Sequence, residues 1–150
     1  MKHNVRIERT LDAPRSQVWA VLADYGNIVD WNSGIKASRV TGDAPDGVGA
    51  KRHCDLSPAG SVEETILAWQ PESELVISID SSKNLPIKRG IVTFMLDDGG
   101  EKTPLKISYD YAAKGGPFSG LAGKMIAGPL RKGFNGFVDD LEIASKAVSA

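Results

Sequence analysis

Apolar and polar residues alternate through Val5-Arg6-Ile7-Glu8-Arg9-Thr10-Leu11, the two-residue period of a half-buried strand. Asp12-Ala13-Pro14 interrupts it. Asp12 or Ser16 can cap a helix at that point, and proline is tolerated in a first helical turn. Val18, Trp19 and Leu22 then recur at helical spacing, Asp24 to Asn27 ends that helix, and Ile28 to Trp31 reads as a second short helical turn. After Gly34 the pattern turns strand-like, over Ile35–Thr41, Ala50–Leu56, Val62–Trp69, Leu75–Asp80, Lys88–Leu96 and Leu105–Ala112. The connecting loops are short and rich in Gly, Pro and Asp, which marks an antiparallel meander.

From Phe118 onward the period is helical again. Leu130, Phe134, Phe137, Val138, Leu141, Ala144 and Val148 trace one apolar face, the stripe of an amphipathic helix. Its first half carries Gly120, Gly123, Gly128 and Pro129. Each interior glycine costs about 1 kcal/mol against alanine, and Pro129 is expected to kink or break the helix. That half is therefore expected to be loosely held. The order is strand, two short helices, six strands and one long helix. This is an α+β fold, with a seven-stranded curled antiparallel sheet under a terminal helix. One apolar stripe cannot fill a curved sheet, so a cavity between sheet and helix is expected, and such cavities take apolar ligands.

Composition narrows the picture. The 150 residues carry 18 Lys and Arg against 19 Asp and Glu, a net charge of −1. Residues 1–150 are read as one domain, a size that can bury a core without staples. A balanced charge argues against nucleic-acid binding, which needs a basic stripe, and against polybasic docking to anionic membranes. Cys54 is the only cysteine, so a disulfide within the chain is impossible. His3 and His53 have no metal-ligand spacing with it, and no metal is expected. The apolar runs are too short to span a bilayer. No signal peptide is visible, which makes the cytoplasm the expected location. Catalytic signatures such as G-x-S-x-G, a Walker lysine loop or a dinucleotide fingerprint are absent, and no cofactor is expected.

Candidate chemistry centres on Glu64. If Val62 and Ile66 face inward, two-residue alternation turns Glu64 inward with them. An ionised carboxylate in an apolar cavity is costly unless paired or hydrated. A hairpin with Leu56 opposite Val62, Cys54 opposite Glu64 and Arg52 opposite Ile66 makes Arg52 a diagonal neighbour of Glu64. Glu64 and Arg52 are then either a polar handle or acid/base pair for a ligand, or a structural ion pair; alternatively a bulge turns Glu64 outward. Tyr109 and Tyr111 share the parity of Leu105 and Ile107, facing the cavity as ligand partners or as core. Trp31 lines the mouth or plugs it. Leu56, Val62, Ile66, Ile77, Phe134 and Phe137 complete the expected lining. Trp69 is expected on the outer sheet face, Asp80 in a turn rather than as a second cavity carboxylate, His53 outside and Cys54 as inert core.

The landmarks Ala13-Pro14, Val18-Trp19, Leu22, Asp24-Tyr25 and Trp31, then Gly47-Val48-Gly49 with Arg52, Glu64 ahead of Trp69-Gln70-Pro71, and Leu85-Pro86-Ile87 resemble the START-like, helix-grip superfamily. Within it they resemble the polyketide cyclase/dehydrase and lipid-transport group, relatives of the birch-pollen-allergen-like proteins and plant abscisic-acid receptors. The resemblance covers nearly the whole chain and implies the helix-grip fold and a pocket, with Asp24–Gly34 and Ser81–Pro86 as gates. In the resembling receptors an inward glutamate contacts ligand through water. Three functions follow as expectations: binding or transport of a small apolar molecule (a lipid, polyketide, quinone or steroid-like compound), an aldol-type cyclase or dehydratase using Glu64 with Arg52 or Tyr109, or a protein-interaction module whose cavity is filled. The superfamily hosts all three kinds of role.

Overall fold

A computed structural model of the chain describes residues 1–148. Strand β1 (His3–Leu11) buries Val5, Ile7 and Leu11 on one face, as its alternation dictates. Helix α1 (Arg15–Ala23) follows Pro14, whose carbonyl accepts the Gln17 and Val18 N–H groups at 3.0 and 3.2 Å. A proline entering a helix loses nothing, because the first N–H groups lack intrahelical partners anyway. A short 3₁₀ segment, Tyr25–Asp30, leads to six further strands: β2 (Ile35–Val40), β3 (Lys51–Leu56), β4 (Ser61–Gln70), β5 (Glu74–Lys83), β6 (Ile87–Leu96) and β7 (Thr103–Ala113). A second 3₁₀ turn, Gly116–Phe118, opens into helix α2 (Ser119–Lys146).

The strands form one antiparallel sheet in the order β1-β7-β6-β5-β4-β3-β2. Strand β1 pairs with β7 along its full length, from His3 opposite Tyr111 to Leu11 opposite Thr103. The curved sheet packs its inner face against α1 and α2, around Val18, Leu22, Ile107, Val138 and Leu141. No helix among the described residues is long and apolar enough to cross a membrane.

The observed register corrects several expectations. Arg52 lies directly opposite Glu64, and Cys54 opposite Val62, so the pair is not diagonal. The hairpin is tighter than expected: Leu56 N–H donates to Gly60 O at 2.8 Å, and Gly60 adopts a left-handed φ of 98° that favours glycine. Moving the pairing by an even step leaves every side chain on its face. Trp69 is not on the outer face. A bulge at Leu67 inverts the alternation, leaves Leu67 exposed, and brings Trp69 edge-on to Trp19, ring centroids 5.1 Å apart. Asp80 is not in a turn, because β5 continues to Lys83. It is the extra residue of a second bulge and accepts hydrogen bonds from Thr65 and Ser78. Helix α2 continues through Pro129 without a break. Packing of Leu130, Phe134, Phe137 and Leu141 onto the core holds it, since helices in proteins are stabilised mainly by their buried face.

Candidate functional site

A cavity of about 300 Å³ lies between the sheet and α2. Leu75, Ile77 and Ile79 of β5 and Val92 and Phe94 of β6 form its floor, because inward positions recur every second residue. Leu56 and Val62 close one side, and Leu130, Phe134 and Phe137 of α2 form the roof. Trp31 stands edge-on to Phe137, centroids 5.2 Å apart. Its buried Nε1 has no hydrogen-bond partner among the described residues. Asp24, Gly34, Pro129 and Gly133 line the cavity yet are exposed, so the mouth lies between the α1–β2 connection and the middle of α2.

The buried charged part of this wall is the Arg52–Glu64 pair. Glu64 Oε1 accepts from Arg52 Nε at 3.2 Å, lies 3.1 Å from Arg52 Nη2, and accepts from Cys54 Sγ at 3.4 Å. Arg52 Nη1 donates to the Tyr25 carbonyl at 2.8 Å, and its guanidinium lies 4.0 Å over the Tyr25 ring. Two charges out of water need this density of partners to persist. All of Glu64's protein hydrogen bonds among the described residues fall on Oε1, leaving Oε2 as a spare acceptor in a cavity-lining carboxylate. Burial, and then the charge of Glu64, push the Cys54 thiol well above its ordinary range. This favours an inert protonated sulfur. The Tyr109 phenol is pushed up by the same two causes.

Of the residues singled out from sequence, Trp31, Arg52, Leu56, Val62, Glu64, Ile77, Phe134 and Phe137 line the cavity. Three others do not. Ile66 lies beyond its end, in core beside Ala50. Tyr109 is stacked on Tyr111, centroids 5.4 Å apart, with the tilted Phe134 ring 5.2 Å away. It fits over Gly90, where a Cβ would come within 2.5 Å of its ring. Tyr111 spends its hydroxyl on the Gly123 carbonyl of α2, at 2.6 Å. Sequence reasoning missed several lining residues, among them Ile79, Phe94 and Asn32. Ile79 continues the parity of Ile77, and the Val92-Phe94-Leu96 alternation marked Phe94. Asn32 gave no such signal: it is buried at the mouth with its Oδ1 accepting the Gly34 N–H at 2.9 Å. His53 lies on the outer face, bonded to Glu63 and, at 2.8 Å, to Asp55. No group of three residues suited to a metal ion occurs among the described residues.

Known proteins give the architecture a context. A protein of Thermus thermophilus superposes with a TM-score of 0.80 at 18% identity, covering 99% of this chain and 100% of that one. The Zhui aromatase/cyclase of Streptomyces sp. R1128 has a TM-score of 0.77 at 14% identity, covering 96% and 93%. A START superfamily protein of Mycobacterium smegmatis has a TM-score of 0.74 at 14% identity, covering 98% and 99%. At such identities these similarities establish the shared helix-grip fold and not a shared chemistry. A search of curated proteins finds no sequence match. The family profile described as polyketide cyclase / dehydrase and lipid transport matches residues 2–142. The sheet, the gripping helix and this match together place the chain in the polyketide cyclase / dehydrase and lipid transport family.

Proposed function

We propose that the chain binds a small, mostly apolar molecule in the cavity beneath α2, oriented by the spare Oε2 of Glu64. The observation that carries this reading is a buried carboxylate oxygen with no protein partner among the described residues, in a wall made mostly of Leu, Ile, Val and Phe. Apolar burial supplies affinity and a few polar groups fix orientation. A ligand hydroxyl donating to Oε2 would complete the acceptor left open on this buried carboxylate. Size narrows the class. A cavity of about 150 Å³ accepts a benzene ring. The observed volume of about 300 Å³ suits a hydroxylated two-ring compound better than a steroid or a long acyl chain. An empty space of that size also speaks against an interaction module with a filled interior.

The enzyme reading, an aldol-type cyclase or dehydratase, draws on the same carboxylate as proton acceptor. One observation favours it, the Oε2 left free while Oε1 is pinned to Arg52. It lacks the polarising phenol expected of Tyr109, whose ring packs outside the cavity. Binding is therefore the reading the geometry supports best.

A thermal-shift series of naphthols, flavonoid fragments, quinones, steroids and fatty acids tests it. A bicyclic phenol at 100 times its Kd should raise Tm by about 5–10 °C, and Glu64→Gln should weaken its binding about tenfold, as a charge-assisted bond becomes a neutral one. Melting curves unmoved across the whole series would overturn the proposal.

A further inference from the structure

The face of α2 that points away from the sheet changes character along its length. Leu121 and Met125 are 63% and 71% exposed, and Phe118, one turn earlier, is 73% exposed. Spacings of three and four residues put these three side chains on one side. The remaining exposed large apolar residues, Met1, Val48, Leu67, Met95 and Ile143, fall on five separate segments of the chain, as scattered surface hydrophobes commonly do. Lys114, Lys124, Arg131 and Lys132 flank the trio, all of them exposed, and no acidic residue occurs between Asp110 and Asp139.

Topology enlarges this basic field. The end of the sheet beneath the start of α2 is made of the start of β1, the end of β7, the start of β6 and the end of β5. These bring exposed Lys2, Lys88, Arg89 and Lys83 to the same end of the molecule. The opposite end carries Asp12, Glu72, Glu74, Asp97, Asp98 and Glu101 against Lys51 and Lys102. A chain of net charge −1 thus has unlike ends. The balanced total, from which polybasic docking is excluded at the level of composition, hides a cationic end.

From these observations we infer that the Phe118–Met125 face docks the protein onto an anionic lipid bilayer. The apolar tips enter the headgroup boundary and the lysines meet the lipid charge, the arrangement of an interfacial amphipathic helix. Pro129 and Gly133, at the cavity mouth, follow Met125 by about one and two turns of the same helix. Docking therefore sets the mouth beside the membrane. The surface stands whether or not the cavity holds a ligand.

Sedimentation with vesicles tests it, using ligand-free protein. Vesicles of phosphatidylcholine with about 30% phosphatidylserine should pellet the protein at about 0.1 M salt and release it near 1 M, where the Debye length shrinks from about 10 to about 3 Å. Pure phosphatidylcholine vesicles should bind far less. Leu121→Asp with Met125→Asp should weaken binding at least about tenfold. Lys124→Glu with Lys132→Glu should weaken it roughly fivefold or more per site. Ile143→Asp, on the same helix beyond the basic stretch, should leave it unchanged. All these side chains are exposed, so a preserved melting temperature confirms that each variant is folded. No pelleting with the anionic vesicles, equal pelleting with the neutral ones, or undiminished binding by the Leu121/Met125 variant would overturn the inference. The first result would leave an acidic protein as the partner of this face.

Discussion

Arg52 and Glu64 are each other's main reason for being tolerated in the interior. Glu64 Oε1 draws on both Arg52 and Cys54, and Arg52 also holds the Tyr25 carbonyl and ring. Removing one partner leaves the other charge buried and uncompensated, which commonly costs about 3–5 kcal/mol. Arg52→Met should therefore lower the unfolding free energy by about that amount in urea titration. Arg52→Met combined with Glu64→Leu should recover most of the loss, because the second change removes the stranded carboxylate. A double variant no more stable than Arg52→Met alone would show that the pair matters for shape rather than charge. The inward parity of both residues was legible from the alternation around Val62 and Ile66. Their direct opposition was not, because it depends on how Gly60 closes the hairpin, and a loop's conformation leaves little trace in hydrophobic pattern.

Helix α2 behaves as two elements in one. Its second half is fastened to the body by polar bonds: Arg9 to Asn135 and Asp139, the Asp12 N–H to Glu142, and Ser33 to Asp140. For its first half the single side-chain hydrogen bond to the sheet, among the described residues, is that of Tyr111 with Gly123. Pro129 also cannot supply an N–H to the Met125 carbonyl one turn back. Backbone amides of residues 119–128 should exchange with deuterium well before those of 134–146. Pro129→Ala should slow them and raise stability, by at most the roughly 3 kcal/mol that an interior proline costs. Equal protection of both halves would contradict this division. At this scale the order of strands and helices was readable from periodicity alone. What escaped were the bulges at Leu67 and Asp80, which moved Trp69 inside and kept Asp80 in a strand, and the continuity of α2 through its proline. Each is a case where tertiary packing outweighs a local preference.

The whole molecule inherits a pH response from the crowding of protonated groups around one carboxylate. Tyr25, Cys54 and Tyr109 all have pKa values raised, first by burial and, at Cys54 and Tyr109, next by the charge of Glu64; at Tyr25 the Arg52 charge works in the opposite direction. A group whose folded value is raised adds stability that is complete below its unfolded value. That stability is lost as pH climbs through the folded value. For thiols and phenols the loss begins at about pH 8.5–10 and grows by about 1.4 kcal/mol per pH unit for each group that ionises only when unfolded. On the outer face His53 acts earlier and more weakly. Its hydrogen bonds to Glu63 and Asp55 raise its value, while Arg39 sits opposite it on β2 as a like charge. Its contribution is present below about pH 6.5 and fades above, reduced by solvent screening. Thermal melts from about pH 6 to 11 should therefore show a shallow early decline and a steep one above about pH 9. Tyr109→Phe should flatten the steep part, and replacing His53 with Gln should flatten only the shallow part. A melting temperature level through the alkaline range would mean that these groups ionise in the folded protein as freely as in the unfolded chain, and that water reaches the interior around Glu64.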